Sequence, residues 1–191
     1  MRKQDYLDQL ISDAGEIAVL STSLPAEALL IAKKVSEKGI KALEIAYRDI
    51  ENPDASDECI RAVREAFPDL LVGAATITSP ALAKRAVKAG AQFILSAGFN
   101  LQTVKWCVKH NVPVYPGIAT AGEIEKAMSF GLSLLKIFPV EVLGGIKYLK
   151  ALNGPYPQIK FIVSGGISRE NQDSYKNMDN VAAVSGSYLV K

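Results

Sequence analysis

A lysine and a glutamate each lie inside a short apolar segment of the sequence, where a charged side chain is unusual. Lys136 stands within residues 134–138 and Glu44 within residues 42–46. Because burying a charge is costly, each should be paired with an opposite charge, neutralised by its surroundings, or used in chemistry. One interpretation is structural: Lys136 pairs with a carboxylate or reaches the surface, and Glu44 neutralises Lys136 or Arg48. The other is catalytic: an amine that attacks a ketone to form a Schiff base, and a carboxylate that moves protons for it.

Two glycine-containing segments near the end of the sequence suit the binding of an anion. Residues 164–168 read Ser-Gly-Gly-Ile-Ser, and residues 185–187 read Ser-Gly-Ser. Glycines let backbone N–H groups approach an anion closely, although glycine also serves ordinary tight turns. The two segments follow the seventh and the eighth predicted strands, where barrels of alternating strands and helices often bind phosphate. The pair of segments therefore predicts a phosphorylated substrate.

These residues are carried by short apolar segments, rich in Val, Ile and Leu, that alternate with longer segments of helical periodicity. The centres of the apolar segments lie about 20–28 residues apart, which suits one strand, one loop and one helix per unit. The segments are nearly continuous in apolar residues, as expected of a parallel sheet that is covered on both faces. The predicted strands are residues 17–20, 42–46, 70–73, 93–96, 114–115, 134–138, 161–164 and 182–184.

Helix-end signals separate the predicted strands. Ser79, followed by a proline, opens a helix that ends before Gly90, and Thr120 can cap the start of another. Eight such units without a linker or low-complexity segment predict an α/β fold, a single (β/α)₈ TIM barrel formed by residues 1–191 as one domain. Since only residues 185–191 follow the last predicted strand, the final outer helix is expected to be missing. Either the barrel closes differently there or another element covers the gap.

The composition excludes several classes of function. The 22 basic residues nearly balance the 20 acidic ones, for a net charge of +2, and they are scattered, which argues against nucleic-acid binding. With 49% hydrophobic residues, the chain can bury a full core. The two cysteines, Cys59 and Cys107, and the single histidine, His110, are too few for a disulfide framework or a metal site. The sequence shows neither a signal peptide nor a membrane span, so we expect a cytoplasmic protein with no membrane partner.

Seven short motifs resemble, in order and spacing, those of the class I aldolases that cleave 2-keto-3-deoxy-6-phosphogluconate (KDPG) and 4-hydroxy-2-oxoglutarate (KHG). They span almost the whole sequence. The motifs are Leu-Glu-Ile at 43–45 with Arg48, Val-Gly-Ala-Ala-Thr at 72–76, Gly-Ala-Gln-Phe at 90–93, Tyr-Pro-Gly-Ile at 115–118, Leu-Lys-Ile-Phe-Pro at 135–139, Gly-Gly-Ile-Ser at 165–168 and Gly-Ser at 186–187.

The resemblance implies roles for the buried charges and their neighbours. Lys136 would be the Schiff-base lysine and Glu44 the general acid/base. Arg48 and Thr76 would hold the carboxylate of the pyruvate moiety, and Phe138 would pack near it. Alternation along a strand agrees with this arrangement, since it puts Glu44 and Arg48 on one side, with Arg48 just past the strand end.

The same resemblance assigns the glycine segments. Gly165, Gly166, Gly186 and Ser187 would bind the distal phosphate of the substrate. Ser164 takes the place of a threonine that helps to decide stereochemistry in the family, and it keeps the hydroxyl.

The sequence also departs from the family pattern. Ala75 and Ala97 stand where the family has a glycine and a proline, and Ser21 to Ser23 where many members carry an arginine. The resemblance further implies an enzyme without metal or organic cofactor, assembled as a homotrimer. Its molecular partners would be a phosphorylated 2-keto acid and pyruvate.

The resemblance implies cleavage of KDPG, of KHG, or of both, to pyruvate and an aldehyde, either glyceraldehyde 3-phosphate or glyoxylate. Three alternatives stay open. One is an aldolase for the galactonate epimer of KDPG. Another is a phosphosugar isomerase or epimerase on the same barrel, with Glu44 as base and Lys136 acting only electrostatically. The third is a non-catalytic relative that binds the ligand without turnover.

Overall fold

Short strands and helices alternate along the chain in the computed structural model, which describes residues 2–49 and 52–191. The strands are β1 (Glu16–Leu20), β2 (Ala42–Ala46), β3 (Leu71–Ala75), β4 (Phe93–Leu95), β5 (Val114–Tyr115), β6 (Gly117–Ile118), β7 (Leu134–Ile137), β8 (Lys160–Ser164) and β9 (Val181–Gly186). The helices are α1 (Lys3–Ala14), α2 (Pro25–Glu37), α3 (Asp54–Ala66), α4 (Pro80–Ala89), α5 (Leu101–Lys109), α6 (Ala121–Met128), α7 (Gly145–Asn153) and α8 (Gln172–Lys176), followed by a 3₁₀ helix (Ser187–Val190).

The strands form one parallel sheet that is almost closed into a barrel. Their order is β5-β4-β3-β2-β1-β9-β8-β7-β6, so the two edge strands are consecutive in the chain. Only Pro116 separates them, and it has no N–H to give to a ladder. Its carbonyl still accepts a hydrogen bond from the Lys136 amide, at 3.0 Å. We therefore regard β5 and β6 as two halves of one barrel strand, and the predicted (β/α)₈ barrel is confirmed.

Several element boundaries differ from the sequence prediction. The fifth predicted strand continues past Pro116 to Ile118, and the last one extends to Gly186. The helix α1, for which the sequence prediction had no counterpart, precedes β1. After β9 the described chain ends in the 3₁₀ helix, which contacts β1 and α2 and buries Tyr188 and Leu189. This short element covers the side of the barrel where the final outer helix was expected to be missing.

Alternation along the strands divides the core into two apolar layers. In β7, for example, Leu135 and Ile137 belong to the outer layer, between the sheet and the helices, whereas Leu134 belongs to the barrel interior. Two residues of α1, Leu7 and Ile11, pack with that interior layer. Helix α1 thus contributes to the barrel core rather than to the outer ring of helices.

Polar contacts show which end of the barrel α1 covers. The Gln4 side-chain oxygen accepts a hydrogen bond from the amide of Val114, the first residue of β5, at 2.9 Å. The Arg2 guanidinium donates to the carbonyl of Gly131, just before β7, at 3.3 Å. Helix α1 therefore closes the end where the strands begin, and the other end is left for the residues predicted to do chemistry.

Two helices, α4 and α6, begin with the N-cap residues that the sequence predicted. The Ser79 hydroxyl accepts from the Leu82 amide at 3.3 Å, and the Thr120 hydroxyl accepts from the Glu123 amide at 3.4 Å. Gly90 ends α4 in the left-handed conformation.

In the described part of the chain, no helix combines the length and the apolar character that crossing a membrane requires.

Candidate active site

Four buried polar side chains point into the barrel near the ends of their strands. They are Glu44 on β2, Lys136 on β7, Ser164 on β8 and Ser185 on β9. Their inward direction follows from alternation, because the residue before each of them on its strand belongs to the outer apolar layer. The carboxyl ends of parallel strands are where barrels of this type hold their active sites.

The lysine and the glutamate contact each other across the barrel. The Lys136 Nζ lies 2.9 Å from Oε1 and 3.3 Å from Oε2 of Glu44, and the residues are only 6% and 2% exposed. Strands β2 and β7 lie on opposite sides of the barrel, so the pair spans its interior. Two groups this close have the geometry that proton transfer between them requires.

A cavity of about 250 Å³ opens above this pair. Every residue that the sequence analysis assigned to the site lines this one cavity: Lys136, Glu44, Arg48, Thr76, Phe138, Ser164, Gly165, Gly166, Gly186 and Ser187. The structure thus brings together residues from five strands or the loops that follow them. Ser185 lines the cavity as well; the sequence analysis placed it in the predicted anion-binding segment 185–187 but gave its side chain no role.

Thr76 has an unusual backbone conformation at the cavity wall. It directly follows β3, and its φ of 62° lies in the left-handed region that β-branched residues rarely adopt. The next amide, of Ile77, donates to the carbonyl of Leu95 on β4 at 3.2 Å, which fixes the turn. Strained residues of this kind cluster at functional sites, which is in keeping with a binding role for Thr76.

The Gly165-Gly166 loop requires glycine at both positions. Their φ values are 91° and 89°, and a Cβ on Gly165 would lie 2.7 Å from the Cα of Pro139. A Cβ on Gly166 would lie 2.5 Å from the Cγ of Glu141. The loop after β8 is therefore pressed against the loop after β7, and the amide of Glu141 donates to the carbonyl of Gly165 at 3.1 Å.

Asn171 holds the same loop from the other side. Its side-chain oxygen accepts from the Ser168 amide at 2.8 Å, and its amide nitrogen donates to the Gly166 carbonyl at 3.0 Å. The Glu141 carboxylate accepts from the Tyr175 hydroxyl, and burial together with this bond raises the pKa of Tyr175. The Tyr175–Glu141 contact joins residues 34 positions apart in the sequence, and no motif in the sequence analysis pointed to it or to the contacts of Asn171.

A buried network holds the end of β2, just before Arg48. The Tyr47 hydroxyl donates to Asp57 on α3 at 2.6 Å, and the other Asp57 oxygen lies 2.6 Å from the guanidinium of Arg85 on α4. Burial, and then the bond to Asp57, raise the pKa of Tyr47 well above its usual range. Tyr47 lies between the end of β2, the strand that carries Glu44, and Arg48, so this network anchors the chain next to both residues.

The remaining candidates lie away from the cavity. His110 ends α5 and stacks on Trp106 with 4.6 Å between the ring centroids. Cys59 and Cys107 are buried free thiols, and burial raises the pKa of both. In residues 2–49 and 52–191, no three His, Cys, Asp or Glu side chains are grouped so that they could hold a metal ion.

Comparison with known proteins identifies the relatives of this barrel. The sequence model of the KDPG and KHG aldolases matches residues 7–191. The chain belongs to the KDPG and KHG aldolase family. The 2-dehydro-3-deoxy-phosphogluconate aldolase of Treponema pallidum is 38% identical over 174 residues, which are 91% of this chain and 81% of that protein. The KHG/KDPG aldolase of Escherichia coli is 32% identical over 183 residues, 96% of this chain and 84% of its own.

Solved structures of the family agree with the barrel described above. The KDPG aldolase of Legionella pneumophila, solved with pyruvate captured as a covalent carbinolamine, superposes with a TM-score of 0.89 at 31% identity. The superposition covers 95% of this chain and 86% of that one. Family membership confirms that the protein is an enzyme, a carbon–carbon lyase of the aldolase type.

The departures of this aldolase from its family pattern fall around the cavity. Ala75 and Ala97 line it directly. Ser21 lies in a second cavity of about 380 Å³, which adjoins the first because Ala46 and Arg48 line both. These positions therefore line one of the two cavities, and the Lys136–Glu44 contact is present beside them.

Proposed function

We propose that the protein cleaves KDPG to pyruvate and glyceraldehyde 3-phosphate through a Schiff base on Lys136. The observation that carries this proposal is the Lys136–Glu44 contact at the floor of a cavity lined by hydroxyls and a glycine loop. The pyruvate carbinolamine captured in the Legionella relative supports the same covalent chemistry here.

In the first half of the reaction, the ammonium of Lys136 gives a proton to the Glu44 carboxylate, and the free amine attacks the C2 ketone. The nitrogen loses its second proton to the former ketone oxygen, which gives a neutral carbinolamine. Glu44 then returns its proton to that hydroxyl, which leaves as water while a C=N double bond forms. The iminium cation now lies beside the Glu44 carboxylate, so the charge balance of the resting pair is kept.

In the second half, the iminium accepts the electrons of the breaking C3–C4 bond. The carboxylate of Glu44, directly or through a water, takes the proton of the C4 hydroxyl, and the C4 oxygen becomes the aldehyde carbonyl. The enamine left on Lys136 takes that proton back at C3. Hydrolysis of the resulting iminium releases pyruvate and restores the ammonium of Lys136.

The cavity walls supply binding at the two ends of the substrate. Arg48 is suited to hold the pyruvate carboxylate, because a planar guanidinium can bind it with two parallel hydrogen bonds. Thr76 adds a hydroxyl beside Arg48, and Phe138 an apolar wall. At the other end, Gly165 and its neighbour Gly166 allow close approach of backbone N–H groups to a phosphate.

The loop after β9 completes the phosphate end of the proposed site. Gly186 and Ser187 line the cavity together with the glycine pair after β8. Ser164 lies between the lysine and these loops, where its hydroxyl can contact the middle of the substrate.

We also propose that residues 1–191 act as one domain and assemble as a cytoplasmic homotrimer. Sedimentation equilibrium of the purified protein tests the assembly.

The proposal is tested by measuring pyruvate release with lactate dehydrogenase and NADH as the coupled reporter. KDPG, its galactonate epimer at C4 and KHG are compared at equal concentration. We expect the highest kcat/KM for KDPG. A higher value for the epimer would reassign the substrate, and higher activity on KHG would show that the phosphate is not used. No pyruvate from any of the three, with folded protein, would overturn the proposal.

A further inference from the structure

The hydroxyl of Ser185 is buried in the cavity wall without a protein partner. The residue has no exposed surface, and within the described residues its Oγ has no hydrogen-bond partner. It lines the cavity above Lys136 and Glu44. A buried hydroxyl without a hydrogen bond costs stability, and the strand position would accept an alanine such as Ala183, two residues earlier on the same face.

The strand pairing places this hydroxyl beside Ser164, another serine that lines the cavity. Ser185 is the partner of Ser164 across the β8–β9 ladder and of Ile17 across the β9–β1 ladder. Neighbouring strands lie about 4.8 Å apart, so the two inward serines present hydroxyls side by side. Two donors at that spacing can each reach one of two neighbouring substrate oxygens.

The position along β9 indicates which oxygen Ser185 reaches. The next two residues, Gly186 and Ser187, belong to the proposed phosphate end of the cavity. Ser164 lies on β8, the strand next to the one that carries Lys136, and Ser185 lies one strand further away. A substrate that runs from Lys136 to the phosphate loops therefore passes Ser164 before it passes Ser185.

We propose that Ser185 is a specificity residue that binds the C5 hydroxyl of the substrate, on the carbon next to the one that bears the phosphate. This inference rests on the proposed function. A site with a buried hydroxyl binds a ligand that satisfies it and disfavours an analogue that leaves it unpaired. The protein thus selects 2-keto acids that carry a C5 hydroxyl over analogues that lack it.

The test uses the reverse reaction, in which the enzyme joins pyruvate to an aldehyde. D-Glyceraldehyde 3-phosphate supplies the C5 hydroxyl, and 3-oxopropyl phosphate is the same aldehyde without it. For the wild-type protein we expect kcat/KM to be about tenfold lower with 3-oxopropyl phosphate, as for the loss of one hydrogen bond. For Ser185→Ala we expect the ratio between the two aldehydes to fall close to one.

Two further variants separate binding from a structural effect. Ser185→Cys keeps the size of the side chain with a poor donor, and it should behave like Ser185→Ala. Tyr115→Phe removes a buried hydroxyl from the interior cluster near α1, outside the cavity, and it should keep the wild-type ratio. Melting temperatures show that each variant is folded.

An unchanged ratio in Ser185→Ala and Ser185→Cys would overturn the inference. So would an equal loss with both aldehydes, since that would place Ser185 at an atom the two share. If wild-type protein joins neither aldehyde to pyruvate, the proposed function fails and this inference fails with it. If the protein joins pyruvate to the aldehydes but the variants leave the ratio of the two kcat/KM values unchanged, only the role of Ser185 is refuted.

Discussion

The same strands supply apolar side chains to one end of the barrel interior and polar side chains to the other. At the end closed by α1, Leu134 and Ile162 contribute to an apolar cluster. Two residues further along the same strands, Lys136 and Ser164 line the cavity. The step from Ala183 to Ser185 on β9 repeats this change. A step of two residues along a strand therefore separates inward side chains that stabilise the barrel from inward side chains that line the cavity.

The closed end also holds two polar groups, those of Tyr115 and Asp8, but they lie outside the cavity. Burial raises the pKa of Tyr115 well above its ordinary value, and it also raises the pKa of Asp8 on α1. Neither residue is among those that line the cavity above the Lys136–Glu44 pair. We expect changes at the open end to alter activity and changes at the closed end to alter stability.

Lys136→Arg should have the largest effect on activity. Arginine keeps a positive charge opposite Glu44 but cannot lose its proton to become a nucleophile. We expect kcat for pyruvate release to fall by at least about 10⁴-fold, with a melting temperature near that of the wild type. More than about one per cent of the activity in this variant would break the assignment of the open end to Schiff-base chemistry.

Glu44→Gln should have the next largest effect. The amide keeps the shape of the side chain and can still accept a hydrogen bond from Lys136, but it cannot carry protons. We expect kcat to fall by about 10²–10⁴-fold, the usual contribution of a general acid/base. Steady-state kinetics together with denaturant unfolding check this. A variant that loses stability and keeps its kcat would show the pair to be purely structural.

Ile11→Ala tests the closed end. Ile11 is fully buried in the interior cluster, and truncating such a side chain costs about 2–5 kcal/mol of unfolding free energy. We expect urea denaturation to report this loss, while kcat/KM at a temperature well below unfolding stays within about twofold of the wild type. A large fall in kcat/KM at full folding would show that the two ends are coupled.

Asp8→Asn should give the smallest effect, and one that depends on pH. Burial raises the pKa of Asp8 above its ordinary 3.8, so the folded state binds that proton more tightly than the unfolded state. As pH rises from the pKa of Asp8 in the unfolded state to its higher pKa in the folded state, the free energy of unfolding therefore falls. Above both pKa values the folded state bears the full cost of burying the ionised carboxylate.

The asparagine variant carries no such penalty and can still accept the 2.8 Å hydrogen bond from Gln4. We expect a melting temperature at pH 7 higher by about 2 °C, a gain that disappears near pH 4. Thermal scans across this pH range check it. A lower melting temperature at pH 7 would mean that the ionised Asp8 stabilises the closed end.

The sequence was informative where one residue contradicts its local surroundings. A lysine or a glutamate within an apolar strand is costly unless it has a partner or a task, and this argument found Lys136 and Glu44. Glycine pairs after strands are equally conspicuous. A serine at a strand end is neither costly nor conspicuous, so Ser185 was recognised only when strand pairing showed it facing the cavity with no partner.

Two features were not predicted from the sequence. Helix α1 has local signals, since Leu7 and Ile11 lie one turn apart and Gly15 follows its last residue in the left-handed conformation, but its place against the barrel interior depends on contacts with distant strands such as β9. The anchor of β2 likewise needs Tyr47, Asp57 and Arg85, which come from three separate elements. No local periodicity records these pairings.

Reductive trapping tests the central claim most directly. The folded protein is incubated with pyruvate and borohydride, which reduces an iminium to a stable secondary amine, and intact mass and peptide mapping then locate the adduct. We predict one pyruvate-derived adduct per chain, on Lys136, and none on Lys136→Arg. No adduct on folded wild-type protein, or an adduct on a different lysine, would contradict the account.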